Sequence, residues 1–321
     1  MSIKGKSILI TGGTGSFGRK FVETALKVGP PKRLVIFSRD EFKQFEMMRQ
    51  FKHPCLRYFL GDVRDADRLN RAMHNIDIVV HAAALKQVPA IEYNPFEAVK
   101  TNILGAENLI NAAIDNKVKK VIALSSDKAV NPINMYGATK LCADKIFVSG
   151  NSYSGAAKTF FSIVRYGNVI GSRGSVVEVF NKLKATGRIP ITDKRMTRFW
   201  ITLDQGVRFV LENLASMRGG EIFIPKIPSM KTLDLARAIA PDCKIEMIGI
   251  RPGEKLHEVL LTEDDAAHTV ELKNKYVILP EFLEHYKRPE GSRAVKVFFR
   301  YSSDTNSEWL TIPDLKRLVG E

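Results

Sequence analysis

The chain has 321 residues, of which 45% are hydrophobic, so it can bury one large core or two smaller ones. It contains no run of about 18 apolar residues, and its short N-terminal stretch leads directly into a strand pattern. We therefore expect neither a membrane span nor a signal peptide, and we predict a cytoplasmic protein. The net charge of +14 is spread along the chain, which favours a basic surface that attracts phosphorylated ligands over a nucleic-acid interface.

The cysteines and histidines argue against a metal site. Cys55, Cys142 and Cys243 lack metal-like spacing, and the six histidines form no H-x-x-H or H-E-x-x-H pattern. Reduced thiols and no metal are the simplest interpretation.

The chain opens with a strand–turn–helix–strand pattern. Residues 7–11 are apolar, glycines follow at positions 12, 15 and 18, and an apolar helical face leads to a second strand at 34–37. Glycines between a strand and a helix allow a tight turn and let backbone N–H groups approach phosphate. An ordinary tight turn is the alternative, but the context favours a dinucleotide site.

The end of the second strand indicates which nicotinamide cofactor binds. An acidic residue there favours NAD, whereas arginine accommodates the 2′-phosphate of NADP. Ser38 and Arg39 come first, and Lys43 can reach the same phosphate if a helix begins near Asp40. NADP is favoured, and a solvated basic edge is the alternative.

Further strands are predicted at 56–60, 77–81, 121–124 and 159–164, with helices at 97–116 and 134–147. This alternation predicts an α/β fold with a doubly wound parallel (Rossmann) sheet. Residues 1–168 would form the NADP-binding domain, joined by a returning segment near 196–225. Residues 169–321 would form mainly a smaller α/β substrate-binding region.

The second region carries weaker signals. Residues 170–177 have the Gly and Ser content of a loop that opens a helix and cradles phosphate. Short strands are predicted at 189–191 and 196–199, and residues 250–255 form a basic turn before a helical stretch. Residues 310–319 are predicted to form a closing helix.

The end of the fifth strand carries groups suited to proton chemistry. Tyr136 and Lys140 are four apart and share one helix face, and Ser126 ends the strand. A tyrosine near pKa ~10 must be perturbed to act as a base, and we expect Lys140 to favour the phenolate. A half-exposed tyrosine beside a solvated lysine is the alternative.

Asp127 and Lys128 form a second acid–base pair, which a simple dehydrogenase or epimerase does not need. A proton next to a newly formed ketone is acidic, so a base there and an acid on the far hydroxyl would eliminate water. A surface ion pair is the alternative.

These residues resemble the extended short-chain dehydrogenase/reductase family. The match runs from residues 11–18 through Asp62 and Ser126 to the Tyr136-x-x-x-Lys140 motif and Asn168, over most of the chain. Within that family, residues 125–132 and 84–89 are similar to UDP-N-acetylglucosamine 4,6-dehydratases. The tyrosine in the motif and the absence of N-terminal spans resemble the inverting type that begins pseudaminic acid synthesis.

The resemblance implies that Tyr136 takes the proton of the C4 hydroxyl while NADP takes a hydride from C4. Lys128 would remove the C5 proton, and Asp127 would protonate the departing C6 hydroxyl. Hydride return to C6 and reprotonation of C5 from the opposite face would give UDP-2-acetamido-2,6-dideoxy-β-L-arabino-hex-4-ulose. Lys128 must be neutral to act as a base, although a free lysine has a pKa near ~10.4.

The resemblance also implies two binding sets. The cofactor would meet Gly12, Thr14, Gly15, Ser16, Phe17, Gly18, Ser38, Arg39, Asp40, Lys43, Asp62, Val63, Ala82, Lys86, Tyr136, Lys140 and Val169. The UDP-sugar would meet Lys86, Asn168, Ser172, Arg173, Gly174, Ser175, Val177, Thr192, Arg198, Arg251 and Glu254.

Several alternatives stay open. A retaining dehydratase and a 4-epimerase share most of these residues, and a non-catalytic NADP-binding protein is a third possibility. The resemblance implies a homo-oligomer, a dimer or a hexamer, with the helix at 97–116 as a dimer face.

Overall fold

The computed structural model describes residues 3–172, 174–281 and 286–320, and its strands and helices lie within those ranges. The strands are β1 Ser7–Thr11, β2 Arg33–Ser38, β3 Leu56–Leu60, β4 Ile78–His81, β5 Lys120–Ser126, β6 Phe160–Tyr166, β7 Asn168–Ile170, β8 Arg188–Ile191, β9 Thr197–Thr202, β10 Ile222–Pro225, β11 Ser229–Lys231, β12 Lys244–Met247, β13 Val259–Leu261, β14 Thr269–Glu271, β15 Lys275–Ile278, β16 Arg293–Ala294 and β17 Tyr301–Ser302. The helices are α1 Ser16–Val28, α2 Glu41–Gln50, α3 Ala66–Ala72, α4 Val88–Tyr93, α5 Pro95–Ala98, α6 Gly105–Asp115, α7 Met135–Tyr153, α8 Val176–Lys184, α9 Leu203–Ser216, α10 Thr232–Ile239 and α11 Ile312–Val319. None of the described helices has both the length and the apolar character that crossing a membrane requires.

A ten-stranded sheet forms the centre, in the order β16-β14-β15-β10-β6-β5-β4-β1-β2-β3. The strands from β3 to β6 pair in parallel in the order of a doubly wound nucleotide-binding sheet. This confirms the predicted fold class. β10 continues the parallel part beside β6, and β15, β14 and β16 add antiparallel strands at that edge.

The sheet is buried on both faces because helices cover each side. Along β1, Ile8 and Ile10 pack with Phe21 of α1, whereas Leu9 points to the other face and packs with Leu69 and Phe147. Alternate side chains of a strand point to opposite faces, so a parallel strand between two helical layers must be apolar throughout. The strand order reverses between β1 and β4, which leaves a crevice at their carboxyl ends.

The smaller region has its own core and two small sheets, β11-β9-β7 and β12-β8. The predicted strands at 189–191 and 196–199 are confirmed as β8 and β9, and the closing helix is confirmed as α11. The segment near 196–225 supplies β10 to the large sheet, and β14 to β16 return to it as well. The division into two domains stays a prediction.

The helix predicted at 97–116 is confirmed as a continuous helical run over residues 95–115, but it is not α-helical throughout. A π-helical turn, Val99–Leu104, separates α5 from α6. Within this turn, Asn102 accepts a hydrogen bond from the backbone N–H of Leu85 (2.9 Å) and donates to the backbone oxygen of Leu85 (3.0 Å). Such turns accommodate one extra residue, here a polar side chain turned inward to bind the β4–α4 loop.

Two further boundaries differ from expectation. α7 continues to Tyr153, beyond the predicted end at residue 147. The helical stretch predicted after residues 250–255 is wrong, because turns and bends there lead into β13. The backbone oxygen of Leu256 accepts from the N–H of Thr197 (3.1 Å) and from Arg198 (3.1 Å), so it binds β9 instead of a helical turn.

Candidate active site

An open cleft of about 1420 Å³ runs along the carboxyl ends of β1, β2, β4 and β5, the edge where this fold binds ligands. It brings together most of the residues that the sequence singled out. Those that line it are Gly12, Thr14, Gly15, Ser16, Phe17, Ser38, Arg39, Asp40, Lys43, Asp62, Val63, Ala82, Lys86, Ser126, Asp127, Lys128, Tyr136, Lys140, Asn168, Val169, Ser172, Gly174 and Ser175.

The glycine turn after β1 fits a pyrophosphate. Gly12 has φ +63°, and a Cβ there would lie 2.8 Å from the backbone oxygen of Ala82. A Cβ at Gly18 would lie 2.3 Å from the oxygen of Gly13, so Gly18 lets α1 pack against the turn and does not itself line the cleft. The N-terminus of α1, at Ser16, opens onto the cleft without a side-chain cap, which suits an anionic group.

The end of β2 presents two basic side chains at the cleft. Ser38 is buried and accepts a hydrogen bond from Thr14 (3.1 Å). Arg39 is exposed and lies 3.7 Å from Asp62. Lys43 forms an ion pair with Asp40, which caps α2 by accepting the N–H of Lys43 (2.9 Å). The glycine turn and this basic corner together fit a nicotinamide dinucleotide.

The acid–base pair lies where β5 ends in a 3₁₀ turn, Asp127–Ala129. The Oγ of Ser126 accepts the N–H of Lys128 (2.9 Å) and donates to Asp127 (3.0 Å), which fixes the turn. Asp127 is 2% exposed, and the Nζ of Lys128 donates to its Oδ1 at 3.2 Å. On its other side, the Nζ of Lys128 lies 2.9 Å from the Oε1 of Glu258.

Burial raises the pKa of Asp127, and the negative charge of Glu258 adds to this, while the charge of Lys128 opposes it. Asp127 is thereby suited to carry a proton. Burial acts to lower the pKa of Lys128, but the carboxylates of Asp127 and Glu258 outweigh it and raise that pKa. The structure thus holds Lys128 in its charged form.

Helix α7 supplies Tyr136 and Lys140. Asn134 caps the helix by accepting the N–H of Gly137 (2.8 Å). A Cβ at Gly137 would lie 2.2 Å from the backbone oxygen of Lys128, so only glycine lets α7 approach the 3₁₀ turn so closely. This contact places Tyr136 beside Ser126 and Lys128.

The electrostatics of Tyr136 differ from the expectation. The Nζ of Lys140 donates to the backbone oxygen of Leu124 (2.7 Å). Burial raises the pKa of Tyr136 to about 12, although a hydrogen bond with Ser126 acts to lower it. Burial lowers the pKa of Lys140, and Asp144 opposes this.

The chain is similar to known proteins along nearly its whole length. Residues 8–280 match the family model described as "Polysaccharide biosynthesis protein". The chain belongs to this family. It is 54% identical over 98% of its length to a Campylobacter jejuni protein named UDP-N-acetylglucosamine 4,6-dehydratase (inverting), and the alignment covers 97% of that protein.

Other relatives of the chain carry different names. A Rickettsia canadensis protein named UDP-glucose 4-epimerase is 40% identical, with 98% of this chain and 95% of that protein covered. The solved structure of Pen from Bacillus thuringiensis has 41% identity and a TM-score of 0.93, and covers 99% of this chain and 98% of that one. These findings confirm the extended short-chain dehydrogenase/reductase fold.

Five residues that the resemblance assigned to the sugar do not line the cleft of this family member: Val177, Thr192, Arg198, Arg251 and Glu254. Arg198 is 7% exposed and is held by the backbone oxygens of Thr197 (2.7 Å) and Lys255 (3.0 Å). Its guanidinium is therefore committed to the protein, in contrast to the diphosphate contact that we expected. Arg173 lies outside the described residues, and the substrate set as a whole stays a prediction.

Two residues at the site, Glu258 and Trp200, were not predicted from the sequence. Glu258 is fully buried beside Lys128, and Trp200 lines the cleft from β9. The Nε1 of Trp200 is buried without a hydrogen-bond partner in the described chain. No local motif marks either residue, since both reach the site through long-range packing. Among the described residues, no group of His, Cys, Asp and Glu could hold a metal ion.

Proposed function

We propose that the chain is an NADP-dependent UDP-N-acetylglucosamine 4,6-dehydratase of the inverting type, with UDP-2-acetamido-2,6-dideoxy-β-L-arabino-hex-4-ulose as its product. The observation that carries the proposal is the second acid–base pair, Asp127 and Lys128, in the same cleft as Tyr136 and the glycine turn. The relative that is 54% identical and bears this enzyme's name supports it.

The first step oxidises C4 of the sugar. Tyr136, as phenolate, accepts the proton of the C4 hydroxyl, and Ser126 orients that hydroxyl. NADP, when bound, supplies a positive nicotinamide ring that takes a hydride from C4 and later returns it to C6. Since burial raises the pKa of Tyr136 to about 12, positive charge beside the phenol is needed to form the phenolate near neutral pH.

The second step eliminates water. Lys128 removes the proton from C5, which the C4 ketone has made acidic. It must first lose its own proton, because the neighbouring carboxylates favour its charged form. Asp127, as the carboxylic acid, protonates the C6 oxygen, which leaves as water. Burial of Asp127 favours that acid form. Once hydride had been returned to C6, protonation of C5 on the opposite face, with a proton that comes from water, would invert the configuration.

The choice of NADP rests on Ser38, Arg39 and Lys43 at the end of β2. A guanidinium and an ammonium at the ribose edge complement a 2′-phosphate, whereas a 2′-hydroxyl is best recognised by a carboxylate.

The assembly and place of action also belong to this proposal. We expect a cytoplasmic homo-oligomer that performs the first step of pseudaminic acid synthesis. The run of helix from α4 to α6 carries the exposed side chains Tyr93 (88%), Phe96 (77%) and Leu104 (45%), which suit a contact between copies.

The test is proton NMR of the purified protein with UDP-N-acetylglucosamine and NADP in heavy water. A new C6 methyl signal, deuterium at C5 and L-arabino couplings would establish the inverting dehydratase. A methyl signal with D-xylo couplings would indicate the retaining reaction instead. Conversion to UDP-N-acetylgalactosamine without a methyl signal would favour a 4-epimerase, as the Rickettsia canadensis relative is named. No conversion would favour a non-catalytic NADP-binding protein.

A further inference from the structure

Glu258 is held rigidly beside the acid–base pair by a part of the chain remote from β5. It directly precedes β13, and its N–H donates to the Oγ of Ser303 (2.9 Å). The N–H of Ser303 donates back to the oxygen of Glu258 (2.8 Å). Pairing of β13 with β17 therefore fixes the backbone of Glu258, and its residue surface is 0% exposed.

The carboxylate of Glu258 lies among three cations. Its oxygens are 2.9 Å from the Nζ of Lys128, 3.6 Å from the Nε of Arg198 and 3.9 Å from the Nζ of Lys255. Burying a carboxylate costs several kcal/mol unless it is paired. Burial acts to raise the pKa of Glu258, but Lys128 and Arg198 outweigh it and lower that pKa. Glu258 is accordingly an anion in this setting.

The Nζ of Lys128 is thereby held between two carboxylates, Glu258 at 2.9 Å and Asp127 at 3.2 Å. A lysine side chain has several rotatable bonds, and fixing it costs up to about 2 kcal/mol of rotamer entropy. Asp127 is the preceding residue in the chain, so its ion pair with Lys128 does not by itself fix the direction in which the Nζ points. The ion pair with Glu258 is a second contact, and the two contacts together fix that direction.

We propose that Glu258 is a positioning residue that holds the Nζ of Lys128 beside Asp127, so that base and acid act together on adjacent carbons of the sugar. This inference rests on the proposed function. Glu258 acts chiefly on the elimination step, because C4 oxidation depends on Tyr136, whose pKa the charge of Lys128 lowers against the larger effect of burial. Its charge also sets the pH at which Lys128 becomes neutral.

The direction of that pH effect follows from the charges around Lys128. Glu258 raises the pKa of Lys128, so loss of its charge lowers that pKa. Arg198 and Lys255 would remain nearby and add repulsion. In Glu258→Gln, Lys128 becomes neutral at lower pH, and the elimination rate reaches its plateau at lower pH. The elimination rate at the plateau also falls, because the Nζ of Lys128 no longer has the carboxylate of Glu258 to hold it in place.

The experiment separates the two steps in the protein loaded with NADP. The near-ultraviolet absorbance of reduced nicotinamide reports C4 oxidation, and the C6 methyl signal reports elimination. In Glu258→Gln we expect C4 oxidation to continue and methyl formation at the plateau to fall roughly 100-fold, the loss typical of a reacting group displaced by about 1 Å. Glu258→Asp keeps the charge but moves it, so its plateau should fall while its pH midpoint stays near that of the wild type.

Glu221→Gln is the matched control. Glu221 is 1% exposed and accepts hydrogen bonds from Ser162 (2.6 Å) and from the N–H of Gly219 (2.8 Å), away from the cleft. The same loss of a buried charge there should lower thermal stability and leave the pH midpoint of elimination unchanged.

A second measurement needs no turnover. Acetic anhydride acylates neutral amines, so peptide-resolved labelling of Lys128 across pH reports its protonation. The half-labelling pH should fall in Glu258→Gln and stay in place in Glu221→Gln. Equal half-labelling pH in both variants would overturn the proposal, as would wild-type methyl formation in Glu258→Gln. If wild-type protein makes no methyl product while the labelling shift is observed, the proposed function fails and the coupling of Glu258 to Lys128 stands.

Discussion

The cleft has two halves that are built in different ways. The cofactor half consists of the turn at residues 12–18, the end of β2 at residues 38–43, and Ala82. Each piece follows a strand directly. The turn acts through backbone and glycine geometry, and the end of β2 acts through side chains that are close together in the sequence. The acid–base half consists of Asp127 and Lys128, which line the cleft. Side-chain ion pairs connect them to Glu258, and Glu258 to Arg198 and Lys255, three buried or partly buried residues from distant parts of the chain that do not line the cleft.

The difference shows that a phosphate cradle can be encoded locally, whereas a tuned base requires distant partners. Backbone N–H groups are supplied by any residue in the right conformation. The charge state of a buried lysine depends on each nearby charged group, wherever it lies in the sequence. Substitutions in the two halves should therefore affect different steps of the reaction.

Tyr136→Phe should have the largest effect, because Tyr136 serves the step on which both halves depend. We expect C4 oxidation and methyl formation to fall together, by roughly 1000-fold, since a positioned acid or base contributes about 10²–10⁴. Stopped-flow absorbance and NMR would measure the two steps. Tyr153→Phe, an exposed tyrosine on the same helix, should leave both rates unchanged. Persistence of C4 oxidation in Tyr136→Phe would remove Tyr136 from the proposed first step.

Lys128→Met should separate the two halves most sharply. Methyl formation and C5 deuterium incorporation should fall at least about 100-fold, because no amine remains to take the C5 proton. C4 oxidation should continue, with its pH midpoint shifted upward, because the charge of Lys128 lowers the pKa of Tyr136. Lys145→Met, an exposed lysine on α7, is the control and should behave as wild type. Rapid deuterium exchange at C5 in Lys128→Met would show that another group is the base.

Gly137→Ala tests the contact that joins α7 to the acid–base half. The new Cβ would lie 2.2 Å from the oxygen of Lys128, so the 3₁₀ turn or the helix must shift. We expect a loss of about 1–3 kcal/mol in the free energy of unfolding, the usual range for overpacking. Gly206→Ala in α9 is the matched control, because the new Cβ would lie 3.9 Å from Tyr166, an ordinary van der Waals distance. There, alanine should be neutral or stabilising by up to about 1 kcal/mol. Equal denaturant midpoints for the two variants would contradict the close approach.

Arg39→Ala should have the smallest effect, confined to the cofactor half. NADP affinity should weaken roughly 10-fold, because a charge-assisted hydrogen bond contributes about 1.5 kcal/mol, while NAD affinity should change little. Titration of protein fluorescence with each cofactor would measure this. Arg71→Ala, at the end of α3 and outside the cleft, should alter neither affinity. An equal loss for both cofactors would mean that Arg39 does not read the 2′-phosphate.

The features that could be predicted from the sequence are those encoded by residues that are neighbours in the chain. Local patterns predicted the strands of the parallel sheet and the shared face of Tyr136 and Lys140. They failed where a tertiary contact competed with a local preference. The helix predicted at 97–116 contains a π-helical turn at Asn102, whose side chain binds the backbone of Leu85. After residues 250–255, where we had expected a helix, backbone oxygens bind Arg198 of β9, and the diphosphate contact of Arg198 stays a prediction.

The sequence alone determined the fold class, the position of the cleft at the carboxyl ends of the strands and the types of chemical group within it. Those features follow from hydrophobic periodicity and from motifs whose residues are neighbours in the chain. Only the tertiary structure decided that Glu258 faces Lys128, that Lys140 donates to Leu124, and that burial shifts Asp127 toward its acid form. The electrostatic energy of a buried group depends on distances in space, and those distances exist only once the chain has folded.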